Sequence, residues 1–373
     1  MQDQSRDFSD VADIQPHVES VIEAFGRGEI VVVTDDDDRE NEGDLVLAAV
    51  HATPEKMAFI VRHTCGIVCA PLTTDIARRL QLAPMVADNE APHSTAFTVS
   101  VDYRHGTTTG ISADDRTATV RNLANSNAGS NDFVRPGHIF PLIAKDGGVL
   151  MRSGHTEAAV DLCRYAKLEP VGVICELMND DGSVMRGPAI TSFAERHNLK
   201  RISVADLIAY RQAREKLVER VGEFPLMSDI GPLQGYAYVT PFDKVHHMAF
   251  VYGRVGEGRG VLARLHRANV IGDVFGGGRL IQAALQRFKT EGRGVLVYLR
   301  DGTAGVPTVT IPSDRESQSE EARIRQWREI GLGAQILRDL NISSIRLLSS
   351  TQFTYVGLGG FGIEIEATEP LEG

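Results

Sequence analysis

Asp35-Asp36-Asp37-Asp38-Arg39-Glu40-Asn41-Glu42-Gly43-Asp44 puts seven carboxylates into ten residues, between two apolar runs, Ile30–Thr34 and Leu45–Val50, that read as strands. Like charges this dense raise one another's pKa values or recruit a cation, and oxygen-rich loops are what hard cations such as magnesium bind. A solvated acidic loop is the plain alternative. Against it, Arg39, Asn41 and Gly43 interrupt the run so that Glu40, Glu42 and Asp44 can converge on one point. Flexible acidic tails also rarely lie between strands. A divalent metal held by a strand-loop-strand unit is the first expectation.

Outward from this hairpin, Val11, Ile14, Val18, Val21, Ile22 and Phe25 repeat with a helical period that Gly26 and Gly28 close. Thr53-Pro54-Glu55 opens a second helix running to about His63, with Thr53 as N-cap. In the loop that follows, Cys65 reads as a turn residue and Cys69 as a small core residue. A third helix is expected near 75–81 and an alternating strand over 96–101. Thr107-Thr108-Thr109-Gly110 then precedes a helix starting near Ser112, which suits phosphate and equally suits a capping turn.

Arg135-Pro136-Gly137-His138-Ile139-Phe140-Pro141 is bounded by two prolines, so its path is fixed and non-helical and His138 is held rigidly. Residues 147–157 are expected to pass from strand into helix. Arg152 beside that helix N-terminus makes an anion site, and His155 sits at a strand-to-helix switch where layered α/β folds bind ligands, although a lone histidine is more often structural. Val171–Leu177 reads as a buried strand carrying Glu176, a cost unless that carboxylate is paired or at work. A charged helix over 203–221 ends at Gly222-Glu223-Phe224-Pro225, where the domain boundary is placed. Beyond it, strands are expected at 235–240, 248–253, 260–266, 294–299 and 344–348, and helices at 279–289, 320–330 and 334–340.

The 373 residues suffice for two or three domains. Met1–Asp7 has no apolar core, and no run of about 18 apolar residues exists to span a bilayer, so a cytoplasmic protein without membrane contact is expected. Cys65, Cys69, Cys163 and Cys175 look like reduced intracellular thiols rather than a disulfide framework. Of the net charge of -11, -10 falls in residues 1–214, which makes that half a poor candidate for binding a nucleic-acid backbone. An anionic substrate would need a metal and a few placed arginines to overcome that field.

Residues 10–214 closely resemble 3,4-dihydroxy-2-butanone 4-phosphate synthase, an early enzyme of riboflavin synthesis. The resemblance rests on Asp38–Asp44, Arg62-His63 with Gly66–Cys69, Thr108–Ala113, Arg135–His138 and Gly154–Glu157, all in family order. It implies an α+β domain with a mixed sheet flanked by helices, acting as a homodimer with composite sites. The implied reaction converts D-ribulose 5-phosphate to formate and L-3,4-dihydroxybutan-2-one 4-phosphate with magnesium, or manganese, as cofactor. Glu40 and His155 would hold the metal. Arg39, Glu40, Asp44, Cys65, Thr109, Arg152, Ser153, Gly154, His155, Thr156 and Glu176 would contact the sugar phosphate. His138, Glu176, Glu42 and Asp44 would be catalytic.

From Tyr236 onward the chain resembles the GTP cyclohydrolase II family, so residues 222–373 are expected to form a second, smaller α/β domain. The retained pieces are scaffold: Arg264-Leu265-His266, Gly272–Gly276, Gly292–Arg300 and Gly331–Leu337. That family's chemistry needs a zinc held by three cysteines, and residues 215–373 contain none. Asn269 stands where the first would fall, and a Cys-x-Cys segment is missing after Gly276. The only histidines left to substitute are His246, His247 and His266. No zinc and no cyclohydrolase activity are expected there. A bifunctional enzyme, and a regulatory or assembly module that still holds a nucleotide through Arg264, are the alternatives.

Overall fold

The computed structural model describes residues 11–35, 40–90, 95–241, 245–300, 331–350 and 363–371. It divides into two compact units, Ala12–Tyr210 and the chain from Arg211 onward. Among the described residues no helix is long and apolar enough to cross a membrane.

The first unit is built on seven strands: β1 Val31–Thr34, β2 Gly43–Ala48, β3 Cys69–Leu72, β4 Val101–Tyr103, β5 Phe133–Ile143, β6 Gly172–Glu176 and β7 Lys200–Ser203. Their order across the sheet is β4-β5-β3-β6-β2-β1-β7. The β1·β7 and β3·β5 pairs are parallel and the others antiparallel, giving a mixed sheet. Successive residues of a strand face opposite ways, so β1 and β2 feed two cores. Val32, Leu45 and Leu47 pack with α2 (Pro54–His63), α3 (Thr74–Arg79), α4 (Ala113–Leu123) and α6 (Pro188–Arg196). Val31, Val33 and Val46 pack with α1 (Val11–Gly26), α5 (His155–Tyr165) and α7 (Val204–Arg214). The result is helix layers on both faces of one sheet.

Helix starts follow local chemistry. The Thr53 hydroxyl accepts from the Lys56 amide at 3.3 Å with Pro54 at the first helical position, and the Ser112 hydroxyl accepts from the Asp115 amide at 3.0 Å.

Four expectations are corrected. Residues 96–100 form no strand: Phe97 bridges Leu142, Thr98 bridges Pro84 and donates its amide to the Pro141 carbonyl, and Pro141 has no N–H to continue a ladder. The strand begins instead at Val101. Residues 148–150 form a 3-10 turn, because Gly147 and Gly148 both take positive φ, +94° and +63°. Glu176 ends β6 as an exposed residue, so its strand is buried but its carboxylate is not. The helix expected to reach 221 stops at Arg214. There the Gln335 side-chain amide donates to the Gln212 and Glu215 carbonyls and accepts the Leu217 amide.

The second unit carries another mixed sheet, made of β8 Glu219–Ser228, β9 Gly231–Val239, β10 His247–Tyr252, β11 Val261–Arg267, β12 Gly294–Leu299, β13 Ser344–Ser349 and β14 Glu364–Pro370. The order is β14-β13-β11-β12-β10-β9-β8. α8 (Arg279–Glu291) seats Ala284, Leu285 and Phe288 against Leu262, Leu296 and Leu348. Residues 331–339 are helical. The helix expected over 320–330 lies outside the described residues.

Candidate active site

The acidic loop is closed by its own first residue. The Asp35 carboxylate accepts the Glu40 amide at 3.0 Å and the Glu42 amide at 2.8 Å, which turns the loop back on β1. Glu40 is thereby brought toward His155, the first residue of α5. Ligand atoms of Asp35, Glu40 and His155 lie within 4.8 Å of one another, the only such group of three among the described residues. Two carboxylates and an imidazole suit a magnesium- or manganese-type divalent cation. Within the acidic run nothing in the sequence singles out Asp35 from its neighbours. Arg39 lies outside the described residues.

Asp44 is the next member. It sits in β2 opposite Glu176 of β6, so the two share the sheet face on which α5 packs. Its side chain is 4 % exposed, 3.9 Å from His155 Nδ1, and its Oδ1 has no hydrogen-bond partner. Burial, and then the charges of Glu176, Glu40, Asp35 and Cys65, push the Asp44 carboxyl well up from its ordinary range. Glu42 is raised as well, by burial first and then by Glu176, although Arg186 donates to it at 3.2 Å. A buried carboxyl without a donor, beside a metal-competent triad, is what a cation or a substrate hydroxyl would satisfy.

His138 joins through the sheet register. Cys69 is aligned with Phe140 on one side and Ile174 on the other. Two residues from that row, toward the start of β3, lie His138 and Glu176. A neighbour that the sequence reading missed holds His138: Asp102 on β4 accepts its ring Nδ1 at 2.7 Å and its amide at 2.8 Å. The Asp102 side chain is 8 % exposed and the His138 side chain 41 %, so Nε2 is the nitrogen left for solvent or substrate. Over this pair lies Gly110, at φ +90°, where a Cβ would stand 1.9 Å from Asp102 Oδ2 and 2.6 Å from His138 Nδ1. Its loop is anchored by Asp115, whose carboxylate accepts the Thr108 amide and hydroxyl and the Gly110 amide. Thr109 is exposed on that loop. The only signal for Asp102 was an acid in a short alternating run, and its partner lies thirty-six residues away.

Ser153, Gly154, His155 and Thr156 are buried at the N-terminus of α5. Arg152 is stretched across that end. Its Nη1 donates to Glu157 at 2.7 Å and its Nη2 to the Thr95 hydroxyl at 2.9 Å. A Cβ on Gly154 would lie 2.3 Å from Arg152 Nη1, so only glycine lets the guanidinium pass. An arginine beside a helix N-terminus is a setting that suits an anion, here with one guanidinium nitrogen already on Glu157. Cys65 lies beside Glu176, its amide donating to the Glu176 carbonyl at 2.9 Å.

The 3,4-dihydroxy-2-butanone 4-phosphate synthase family profile matches residues 19–210, and the GTP cyclohydrolase II profile matches 219–370. The chain belongs to the 3,4-dihydroxy-2-butanone 4-phosphate synthase family. It is 46 % identical over 376 residues to the riboflavin biosynthesis protein RibBA of Rhodococcus erythropolis, covering 95 % of this chain and 89 % of that protein. RibBX, a two-domain synthase from A. baumannii, superposes with a TM-score of 0.81 at 36 % identity, over 94 % of this chain and 99 % of its own. A synthase solved in complex with two magnesium ions matches at 47 % identity and a TM-score of 0.52, over 53 % of this chain and 97 % of its own. The protein is thus a lyase-type enzyme of riboflavin biosynthesis with a cyclohydrolase-like second unit.

In that second unit the retained residues are committed to one another. His266 Nε2 and Asp273 are 2.9 Å apart, and Asp273 also accepts the Tyr298 hydroxyl at 2.7 Å and the Asn269 amide at 2.8 Å. Arg264 is buried, donating to the Leu348 carbonyl at 2.9 Å. His247 is buried with its Nδ1 against the Arg300 amide, whereas His246 is exposed.

Proposed function

We propose that the first unit converts D-ribulose 5-phosphate to formate and L-3,4-dihydroxybutan-2-one 4-phosphate at the site just described. The observation that carries this is the meeting of Asp35, Glu40 and His155 with the Asp44–Glu176 pair, beside Arg152. Glu40 and His155 would hold a divalent metal, magnesium or manganese, with Asp35 as a third ligand and second oxygen donor. When bound, that ion supplies charge stabilisation for an enediolate. Arg152 and the α5 N-terminus, Ser153 through Thr156, hold the phosphate or its neighbouring oxygens. Arg39, Thr109 and Cys65 complete the substrate contacts.

Proton transfer falls to four groups. Glu176, exposed at the end of β6, is free to take a carbon-bound proton. Asp44, whose carboxyl is pushed up by burial and then by its acidic neighbours, is suited to give one to a departing hydroxyl. Glu42 supports the same step. His138, oriented by Asp102, presents Nε2 for a second transfer. The enzyme works as a homodimer in the cytoplasm.

The test is formate release from ribulose 5-phosphate by the whole chain. Activity should vanish in excess chelator, return with magnesium or manganese, and be lost in Glu40→Gln and His155→Ala. Undiminished turnover in chelator would refute the reading.

The second unit, on this reading, has no GTP ring-opening activity and serves structure, assembly or regulation. Residues 215–373 lack cysteine, and Asn269 uses its amide and side chain to cap a turn. Incubation with GTP and zinc, with formate and a ring-opened pyrimidine as the contrary result, tests it.

A further inference from the structure

We propose that Cys65 and Cys175 form a reversible intrachain disulfide when the protein meets hydrogen peroxide, and that this bond switches the synthase off. Both are free thiols, and their sulfurs already lie 3.7 Å apart. A disulfide needs a separation of about 2.0 Å, so roughly 1.7 Å of closure is required, within reach of side-chain rotation and a small backbone shift. The surroundings hold both partners in place. The Cys65 amide is bonded to the Glu176 carbonyl at 2.9 Å, and the Thr64 hydroxyl donates to Cys175 Sγ at 2.9 Å.

The two sulfurs are also unequal in the way an attacking and a resolving thiol should be. Cys65 is half-buried and reachable, whereas Cys175 is buried. The hydrogen bond from Cys175 draws the Cys65 thiol down from its ordinary value, which favours its thiolate. That same contact, with burial, pushes Cys175 up. Burial pushes Cys69 and Cys163 up too, which leaves them as internal controls.

The chemistry balances. The Cys65 thiolate attacks one peroxide oxygen, forming S–O and breaking O–O, and the departing hydroxide takes a proton to become water. Cys175 then gives its proton to the sulfenic oxygen and its sulfur attacks Cys65, forming S–S and breaking S–O, with a second water leaving. Two thiols and one peroxide become one disulfide and two waters.

The consequence follows from position. Cys175 immediately precedes Glu176, the cross-strand partner of Asp44, and Cys65 is bonded to the Glu176 carbonyl. Drawing the sulfurs together displaces that carboxylate from its place opposite Asp44.

The experiment uses the full chain with hydrogen peroxide. After oxidation and alkylation, a non-reducing tryptic digest should show the peptide 63–78 linked to 168–186, two hydrogens lighter than their sum, with fragmentation placing the bond at Cys65 rather than Cys69. Turnover of ribulose 5-phosphate should fall at least tenfold and return with dithiothreitol. In Cys175→Ala no link should form, and peroxide inactivation should cease to be reversed by dithiothreitol as Cys65 proceeds to sulfinic acid. Cys65 still alkylatable after peroxide, a link at Cys69, or full turnover in the cross-linked protein would overturn the proposal. The mass arm needs only wild-type protein and does not depend on the synthase reading. The turnover arm does, and reduced protein inactive from the start would count against that reading rather than against the disulfide.

Discussion

Gly110→Ala is the sharpest perturbation of the His138 site, because one methyl group is set against both members of the His138–Asp102 pair. At φ +90° an alanine bears the left-handed penalty of roughly 1–2 kcal/mol. Its Cβ would also stand 1.9 Å from Asp102 Oδ2 and 2.6 Å from His138 Nδ1, so the pair must part or the loop must lift. Overpacking of that kind costs about 1–3 kcal/mol more. Gly182→Ala is the matched control: φ is +85° and nothing lies within 4 Å of its Cβ, so it carries the backbone penalty alone. The first unit should therefore melt lower in Gly110→Ala than in Gly182→Ala by about 2–12 °C, using about 2–4 °C per kcal/mol for a domain of this size. The catalytic constant should fall about 10²–10⁴-fold in Gly110→Ala, the usual weight of a general acid or base, and stay within twofold in Gly182→Ala. Thermal melts and formate release read both. Equal melting of the two variants, or wild-type turnover in Gly110→Ala, would refute the claim that this pair is clamped beneath Gly110.

Asp102→Asn keeps the shape but not the charge that fixes the His138 tautomer, so turnover should drop about 10²–10⁴-fold with the Michaelis constant little changed; the reverse pattern would make His138 a binding residue. Glu157→Gln loosens Arg152 by removing a charged hydrogen bond worth about 1.5–3 kcal/mol, and the Michaelis constant for the sugar phosphate should rise about tenfold or more, which steady-state kinetics would show. The His266 imidazole is lowered, by burial first and against the pull of Asp273. A histidine kept neutral in the fold gives stability that is whole above the unfolded value of 6.5 and is lost as pH falls through it. Hydrogen-exchange protection factors of β11 should therefore decline between pH 7.5 and pH 5.5, and this decline should disappear in His266→Gln.

How far the sequence could be read depended on whether the information was local. The β1 and β2 runs, the Thr53 and Ser112 caps and the glycine-led start of α5 depend on neighbours a few residues away, and they form where the residues place them. The strand over 96–101 had the right alternation but a proline where its ladder partner needed an N–H, which only the fold reveals. Glu176 was placed in a buried strand, yet its own side chain is exposed at the end of β6 while Cys175 and Leu177 on either side of it are buried. The site behaves alike. Glu40 and His155 were legible from charge pattern and resemblance. The joining of Asp35 to them, and of Asp102 to His138, depends on how the loop and strands return, and no spacing encodes that.

In the second unit a turn without cysteine is held by hydrogen bonds. In the resemblance to GTP cyclohydrolase II, the segment around 269–276 is where thiolates would tie a turn to the sheet through zinc. Here the tie is Asp273, which reaches His266 on β11 and Tyr298 on β12 with one carboxylate and closes on the Asn269 amide. Hydrogen bonds to a charged group are worth about 1.5–3 kcal/mol each, so three of them give the turn a fixed seat. The Asn269 side chain adds a fourth link by accepting the Gly272 amide at 3.0 Å. His266 is stacked on Tyr298 with ring centres 5.5 Å apart, so its imidazole is held on its face as well as at Nε2. Returning a cysteine to position 269 would therefore remove a cap before it supplied a ligand, and the first effect of such a reversion is on the turn rather than on zinc.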